Sequence, residues 1–327
     1  MPPLIPPDHT LPIAAALALE DTVQIVPVAL LMGVYARRAR ALAGSEERVP
    51  RWRQACFHAG CLTIAGALLG LSEVGEQLLV AHMVQLLLIG VVAALLLVLG
   101  LTAPILLADQ STASDRRSAE VFGRLRVLTN PLIALPMWAV CVSVWHLPGP
   151  YQSALEHPGV HVLQHATLLA CGVNLWMCLF GPLPAPGWFG NLGRLLYIAA
   201  VGLLAAALGN LLLWSDVVFY PFYLDGDSAH SVSPIADQNL AGAVLVIEAT
   251  LLTIGLFGWL FVRTAREARE REALLELASA HGLSLSDKRA ARAVSTGRGA
   301  ELRQRLEGRI EAERVSAPPT AAPDTIL

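Results

Sequence analysis

Long, nearly uncharged stretches of apolar residues are the feature that most constrains how this chain folds. Seven such stretches cover residues 11–35, 55–72, 77–107, 130–146, 159–180, 192–214 and 238–262. A helix of about 20 apolar residues spans a hydrocarbon layer about 30 Å thick. Only 15% of the residues are charged, whereas soluble domains carry about 25%. The sequence therefore predicts an all-α, polytopic membrane helix bundle with seven transmembrane helices.

The positive charges of the chain are segregated with respect to these stretches. If each stretch crosses the membrane once, all 23 lysine and arginine residues fall on one side. The opposite side holds residues 1–10, 72–76, 147–158 and 215–237, which include no basic residue. Short loops rich in lysine and arginine remain in the cytoplasm. We therefore expect the N-terminus to lie outside and the C-terminus to be cytoplasmic.

The chain after the last apolar stretch differs in composition. Residues 1–262 form the predicted transmembrane domain, and residues 263–327 form a charged, cytoplasmic helical tail with a disordered Pro/Ala-rich end. Acids and arginines alternate at helical spacing over 263–280, and Gly282 favours the end of that helix. A second charged helix is predicted at about 285–313. The tail is interpreted as a solvated anchor for topology, with a partner-docking helix as the alternative.

Histidines gather at the side predicted to face outward. An ionisable side chain within a span costs about 2.5–3.5 kcal/mol by insertion scales, so each one is a functional candidate. Pro158 suits the first turn of a helix, which places His157 at or just before its cap. His161 and His165, four residues apart, then face the same way. The residues of this group are His82, His146, His157, His161 and His165.

This histidine group predicts a metal site. Two imidazoles at i, i+4 are able to chelate one ion, and His82, Met83 and His146 are the nearest further ligands by depth. Imidazole suits copper, zinc, iron and nickel, and the thioether of Met83 adds a preference for Cu(I). The candidate metal-binding residues are His82, Met83, His146, His157, His161 and His165. The alternative interpretation is that these histidines are interfacial side chains bonded to backbone carbonyls or to acids.

Other polar and aromatic residues have structural interpretations. Asp237 is expected to cap the helix that forms span seven. Glu20, Asp21 and Glu248 lie within spans, where they either make hydrogen bonds between helices or carry protons. The interfacial anchors are predicted to be Trp145, Trp188, Trp214, Tyr220 and Tyr223.

Several classes of protein are excluded or disfavoured. A net charge of −3 excludes a strongly basic nucleic-acid-binding protein. Five cysteines without a CxxC pair indicate neither a disulfide scaffold nor a thiolate zinc site. The sequence also lacks an H-E-x-x-H motif, a phosphate-binding loop and a nucleophile–base set, so no enzymatic turnover is expected.

Three motifs, in order along the chain, resemble those of one known family. The run AHMVQLLLIGVVAALLLVLG (81–100) is similar to a pattern H-M-x-Q-H followed by an apolar span. The stretch 130–165 is similar to N-P, W-H-x-P, Y-x-x-A-L and a closing pair of histidines. ADQNLAG (236–242) is close to D-Q-x-x-A-G at the start of the last span. Over residues 11–262 the chain resembles the multi-spanning CtaG family of cytochrome c oxidase assembly factors.

The resemblance implies a multi-pass protein of the bacterial plasma membrane that helps to build haem–copper cytochrome c oxidase by delivering copper on the outer face. The implied partners are cytochrome c oxidase subunits and the lipid bilayer. The positions carried over are His82, Met83, Gln85, His146, His157, His161, His165, Asp237 and Gln238. The sequence departs from the family at Leu86, where the second histidine of H-M-x-Q-H is missing, and at Gln164, where an acid often precedes the last histidine.

The leading hypothesis is therefore a non-enzymatic membrane chaperone that binds copper. The first alternative is a redox protein that holds haem b between facing histidines such as His146 and His165. The second is a transporter of copper or a small solute, for which Glu248, Glu20 and Asp21 are the candidate polar residues. A scaffold that binds the oxidase without metal is the third.

Overall fold

Helices joined by short loops make up most of the part that the computed structural model describes, residues 10–106, 130–183 and 185–316, with side chains from 23 to 312 in those ranges. These residues contain no β-strand, which confirms the predicted all-α class. The longer helices are α1 (Thr10–Ala41), α2 (Arg51–Gly70), α3 (Leu79–Gly100), α4 (Pro131–Trp145), α5 (Pro148–Glu156), α6 (Pro158–Phe180), α7 (Asn191–Leu213), α8 (Pro234–Ala280), α9 (Asp287–Ser295) and α10 (Gly299–Ser316). Shorter helical segments are Ser72–Gly75, Ala103–Leu106, Pro221–Tyr223 and Leu224–Ala229.

Four of these helices, α3, α6, α7 and α8, are long and apolar enough to cross a membrane. A fifth span is obtained if α4 and α5, which are bent by 69° at the break between them, count as one. The first turns of α2 hold Arg51, Arg53 and Gln54, which lowers its hydropathy. The side chains of α1 up to residue 22 are outside the described residues. The chain thus has a membrane-type helical architecture with four, or up to five, candidate spans among the described residues.

The third apolar stretch, 77–107, is divided rather than continuous. Helix α3 ends at Gly100, Leu101 is extended, and a separate short helix follows at Ala103–Leu106. The middle of α3, Leu88–Ala93, is π-helical. At this point a Cβ on Gly172 of α6 would overlap the carbonyl oxygen of Gly90. The absence of side chains at both positions therefore lets α3 and α6 approach closely.

Side chains from the first two helices bind the C-terminal end of α3. The guanidinium of Arg53 donates to the carbonyl oxygens of Leu99 (3.1 Å) and Leu101 (2.7 Å). The hydroxyl of Tyr35 donates to the carbonyl oxygen of Gly100 at 2.9 Å. The last carbonyls of a helix have no partner within it, so these bonds satisfy groups that would otherwise be orphaned. The C-terminal end of α3 is therefore held by Arg53 of α2 and Tyr35 of α1.

The structure divides into two compact units, Met1–Ile254 and Gly255–Leu327. In the second unit α8 ends at Ala280 and Gly282 follows with a φ of +69°, so the predicted helix end is confirmed. The predicted single helix at about 285–313 is wrong, because Gly297 with a φ of +72° separates α9 from α10. A small core holds these helices together, formed by Leu274, Ala278, Val294, Leu302 and Leu306.

Candidate functional site

Three of the predicted histidines meet between α3 and α6. His82 and His161 are each the fourth residue of their helix, and His165 lies one turn further along α6. The ring centroids are 5.4 Å apart for His82 and His161, 6.3 Å for His82 and His165, and 4.3 Å for His161 and His165. Sequence spacing predicted the pairing within α6. Depth along the spans offered His82, Met83 and His146 as further ligands, and the fold places His82 against the pair. We call His82, His161 and His165 the histidine cluster.

The hydrogen bond of His165 fixes which of its ring nitrogens is available. Its Nδ1 lies 2.8 Å from the amide oxygen of Gln24 in α1. An amide oxygen only accepts, so Nδ1 carries the proton and Nε2 carries a lone pair. That Nε2 atom is buried and has no hydrogen-bond partner among the described residues, and Nε2 of His82 is buried beside the amide of Gln164 without a well-aligned hydrogen bond. A buried polar atom left unpaired costs about 1–3 kcal/mol, so the site is incomplete as it stands.

Gln164 is a third buried polar side chain at this site whose polar atoms lack well-aligned hydrogen bonds. Its side chain is fully buried beside His82. Neither its amide nitrogen nor its amide oxygen has a well-aligned hydrogen bond within the described part of the chain. Native proteins leave few buried polar groups unpaired, and a cluster of them points to an ion, a water or a ligand. The sequence marked Gln164 only as a departure from a family pattern.

Tyrosines form the inner wall of the site. Tyr151 of α5 is fully buried, with its ring centroid 5.3 Å from that of His82 and 4.2 Å from that of Tyr220. The hydroxyls of Tyr151 and Tyr223 are 3.3 Å apart. The prediction of Tyr220 and Tyr223 as interfacial anchors is therefore wrong, because both pack in the core. The aromatic wall excludes water from one side of the histidine cluster.

The remaining candidate ligands lie elsewhere. His146 ends α4 and faces Tyr151, at 6.4 Å between ring centroids, with its Nδ1 bonded to the carbonyl oxygen of Val142 at 2.8 Å. Met83 is fully buried in an apolar cluster with Leu79 and Leu86. His157 is exposed at the start of α6, where its Nδ1 contacts the carbonyl oxygen of Ser153 at 3.1 Å. The structure thus brings neither Met83 nor His157 into the histidine cluster.

Asp237 has a role that its sequence position did not indicate. Its carboxylate accepts hydrogen bonds from the backbone N–H groups of Leu79 (2.6 Å) and Val80 (3.1 Å). It therefore caps α3, the helix of His82, and the prediction that it caps only its own helix is corrected. Gln238 accepts from the N–H of Phe219 at 2.9 Å and so fixes the loop before α8.

A second buried acid, Asp227, lies next to Asp237. Asp227, in the short helix before α8, is buried, and one of its carboxylate oxygens has no partner among the described residues. Burial, together with the charge of Asp237 and a hydrogen bond to it, raises the pKa of Asp227 to about 6. The carboxyl pair of Asp227 and Asp237 therefore links the last long helix to α3 beside the site.

Only structural features are seen for Gln85, the cysteines and Glu248. Gln85 donates to the carbonyl oxygen of Ala67 at 3.2 Å. None of the five cysteines forms a disulfide within the described residues, and Cys61, Cys171 and Cys178 are buried. Glu248 is half-buried in α8. Glu20 and Asp21 lie outside the residues whose side chains are described.

The chemistry of the site is that of a neutral donor set. Buried imidazole nitrogens of His82 and His165 lie beside a third imidazole and an amide, and nitrogen donors of this kind suit a metal ion that accepts nitrogen ligands. As packed, no three His, Cys, Asp or Glu side chains of the described residues are arranged to hold a metal ion. The rings would have to rotate to share one.

Sequence reasoning missed Gln24, Tyr151 and Gln164. Gln24 lies among apolar residues of α1, and its polarity within a span was the available signal. Tyr151 appeared only within the Y-x-x-A-L motif and Gln164 only as a departure from the family pattern, since only the packing of α5 and α6 on α3 brings them to His82.

Comparison with known proteins agrees with this architecture. The profile of the family described as cytochrome c oxidase caa3 assembly factor (Caa3_CtaG) matches residues 29–267. Neither a search of curated proteins nor a search of solved structures gave a significant match. The matched range covers most of the chain and contains all of the histidine cluster, Tyr151, Gln164 and Asp237. This chain belongs to the cytochrome c oxidase caa3 assembly factor family.

Proposed function

We propose that this assembly factor acts on cytochrome c oxidase by holding copper in the histidine cluster and handing it over. The observation that carries the proposal is the pair of buried Nε2 atoms on His82 and His165, neither of which makes a well-aligned hydrogen bond within the described residues. The ring centroids of His82 and His165 lie 5.4 Å and 4.3 Å from the ring centroid of His161. Copper is here a cargo, and the protein performs no turnover of its own.

The donor set favours copper over harder ions. Imidazole nitrogens suit copper, whereas magnesium and calcium prefer oxygen ligands. Leu86, where a second histidine is expected from the family, is buried in the apolar cluster with Met83 and offers no donor atom. Coordination therefore depends on His82, His161 and His165, with the amide of Gln164 beside them.

The unequal exposure of the three histidines supports transfer. His82 and His165 are buried, whereas His161 is only half-buried. An ion with two or three protein ligands leaves coordination positions open, so ligands of an acceptor bind before those of the donor leave. His161 is the most exposed of the three rings but its Nε2 atom is buried, so rotation of this ring would present the first ligand to an acceptor.

The proposal also includes seven transmembrane helices, with the histidine cluster at the outer face of the membrane. His82 lies in the first turn of α3, and Arg53 binds the carbonyl of Leu99 in its last turn. These 17 residues correspond to about 26 Å along a helix, close to the hydrocarbon thickness of about 30 Å. With the arginines in the cytoplasm, the histidines face the outside of a bacterial plasma membrane.

Titration of purified protein with Cu(I), against a competing chelator, tests the proposal. We expect stoichiometric binding that is lost in His82→Ala, His161→Ala and His165→Ala and retained in His157→Ala, a matched control at the exposed end of α6. In cells, the triple variant should fail to mature the oxidase. A triple variant that still supports maturation contradicts copper transfer through this site.

The absorption spectrum of the same preparation tests the haem alternative. A Soret band that disappears in His146→Ala and His165→Ala would replace the copper proposal. Copper uptake into vesicles that hold the purified protein would favour a transporter instead. Absence of copper binding together with normal oxidase binding would indicate a scaffold.

A further inference from the structure

An arginine-lined cleft lies in the second compact unit, far along the chain from the histidine cluster. It has a volume of about 160 Å³ and is formed by α9, the turn after it, and α10. The charged residues that line it are Arg289, Arg292, Arg298, Glu301 and Arg305. Four positive charges therefore surround one small cavity and only one negative charge opposes them.

The acids near the cleft leave most of its arginines without an ion pair: Glu270 of α8 lies against Gly299 at the start of α10 but does not line the cleft. Glu301 is 3.9 Å from Arg305, and both side chains are well exposed. Such a solvated ion pair contributes little. Asp287, at the start of α9, is bound to Arg271 of α8 at 2.5 Å instead. Among the described residues, neither Arg289 nor Arg292 has an ion-pair partner.

Local structure holds the arginines together despite their repulsion. Gly297, with a φ of +72°, reverses the chain between α9 and α10. The buried side chains of Val294, Leu302 and Leu306 then fix the two helices against each other. Nε of Arg298 donates to the hydroxyl of Thr296 at 3.3 Å, which orients that guanidinium. Like charges held in one place favour the binding of an anion that relieves their repulsion.

We propose that this cleft is an anion site that binds a phosphate group. The planar guanidinium presents paired N–H donors that match phosphate oxygens, and several arginines around one cavity form the kind of site that phosphate prefers. The volume is below the roughly 300–1,000 Å³ of sites for drug-sized ligands. It therefore accommodates one or two phosphate groups rather than a whole nucleotide.

Two sources offer this chemistry, a soluble phosphate compound and the headgroup of an anionic phospholipid. The unit follows the last candidate span directly along the chain, because α8 runs without a break from Pro234 to Ala280. Basic segments next to a span attract anionic lipid headgroups near the membrane surface. The experiment therefore has one arm for each source.

Hydrogen exchange of the full-length protein in phosphatidylcholine nanodiscs is the measurement. In the first arm the probe is pyrophosphate, and in the second it is phosphatidylglycerol placed in the nanodisc without added phosphate. Bound anion should slow exchange of the amides of 287–305 about tenfold at ten times its Kd. In 1 M salt the protection should disappear, because the Debye length falls to about 3 Å.

Charge-matched variants separate a site from a general effect of charge. Arg289→Gln with Arg292→Gln should abolish protection, whereas Arg303→Gln with Arg309→Gln, which removes the same charge from outside the cleft, should retain it. Protection in either arm with this pattern supports the site and identifies its source. Equal loss in both double variants overturns it. Absence of protection in both arms also overturns it.

Discussion

The carboxylate of Asp237 accepts a hydrogen bond of 2.6 Å from the backbone N–H of Leu79, a residue 158 positions earlier in the chain. The same carboxylate accepts from Val80 at 3.1 Å. The first N–H groups of a helix have no partner within it, and a carboxylate there also interacts favourably with the helix dipole. Because His82 lies in that same turn, Asp237 positions one wall of the histidine cluster from the far end of the sequence.

Replacement of Asp237 should therefore loosen both the fold and the site. Asp237→Ala leaves two N–H groups of α3 unpaired, so we expect a loss of about 1–2 kcal/mol in unfolding free energy, as for other lost helix caps. Cu(I) affinity should also fall, since His82 is no longer held. Unfolding and copper titrations in detergent measure the two effects. Asp225→Ala, an exposed acid in the preceding short helix, is the control and should change neither.

The pKa of Asp227 predicts a dependence of stability on pH. It is raised to about 6 in the folded protein, against about 3.9 in an unfolded chain. Between these values the folded state keeps a proton that the unfolded state releases, so the unfolding free energy should fall as pH rises from about 4 to about 6. Unfolding curves recorded across this range measure the slope. In Asp227→Asn the contribution should vanish; an unchanged slope contradicts the assignment.

The contact of Gly172 with Gly90 predicts sensitivity to one added methyl group. Gly172→Ala would push α6 away from α3, and overpacking of this kind costs about 1–3 kcal/mol. We expect a lower unfolding midpoint and weaker Cu(I) binding, because His161 and His165 move with α6. Gly66→Ala is the matched control, since a Cβ there meets nothing within 4 Å. Equal midpoints for the two variants would show that the helices do not depend on this contact.

Leu86 offers a gain-of-function test of the copper proposal. It lies one turn after His82 on α3 and is buried beside the site. Leu86→His restores the histidine expected from the family, so we expect tighter Cu(I) binding in competition titrations. Leu87→His places the same side chain on a different face of the helix and should not bind more tightly. No difference between the two would argue against a ligand position at 86.

The distribution of basic residues predicts the topology. Reporter domains fused after residue 150 or after residue 230 should be active only outside the cytoplasm. Fusions after residue 45 and after residue 316 should report a cytoplasmic location. A cytoplasmic signal at 150 would place the histidine cluster on the wrong side for delivery to an outward-facing copper centre.

Composition and spacing determined the general features of this protein. Apolar stretches of about the length needed to cross a bilayer left few alternatives to helices, because backbone polar groups within lipid must be satisfied locally. The i, i+4 spacing of His161 and His165 predicted that their rings share a face, and Pro158 and Gly282 marked a helix start and a helix end. These features depend on neighbours along the chain, so the sequence alone carried them.

Tertiary structure alone decided which distant groups meet. The partnership of His82 with His161 and His165, the bond from His165 to Gln24, and the cap of Asp237 on α3 all join residues far apart in sequence. The same packing placed Met83 in the apolar core and left His157 exposed. Hydrophobic patterning fixes that a helix is buried, but contact between helices depends on where small residues such as Gly90 and Gly172 allow close approach. The site therefore depends on helix packing, and periodicity along the chain predicted only that His161 and His165 share a face.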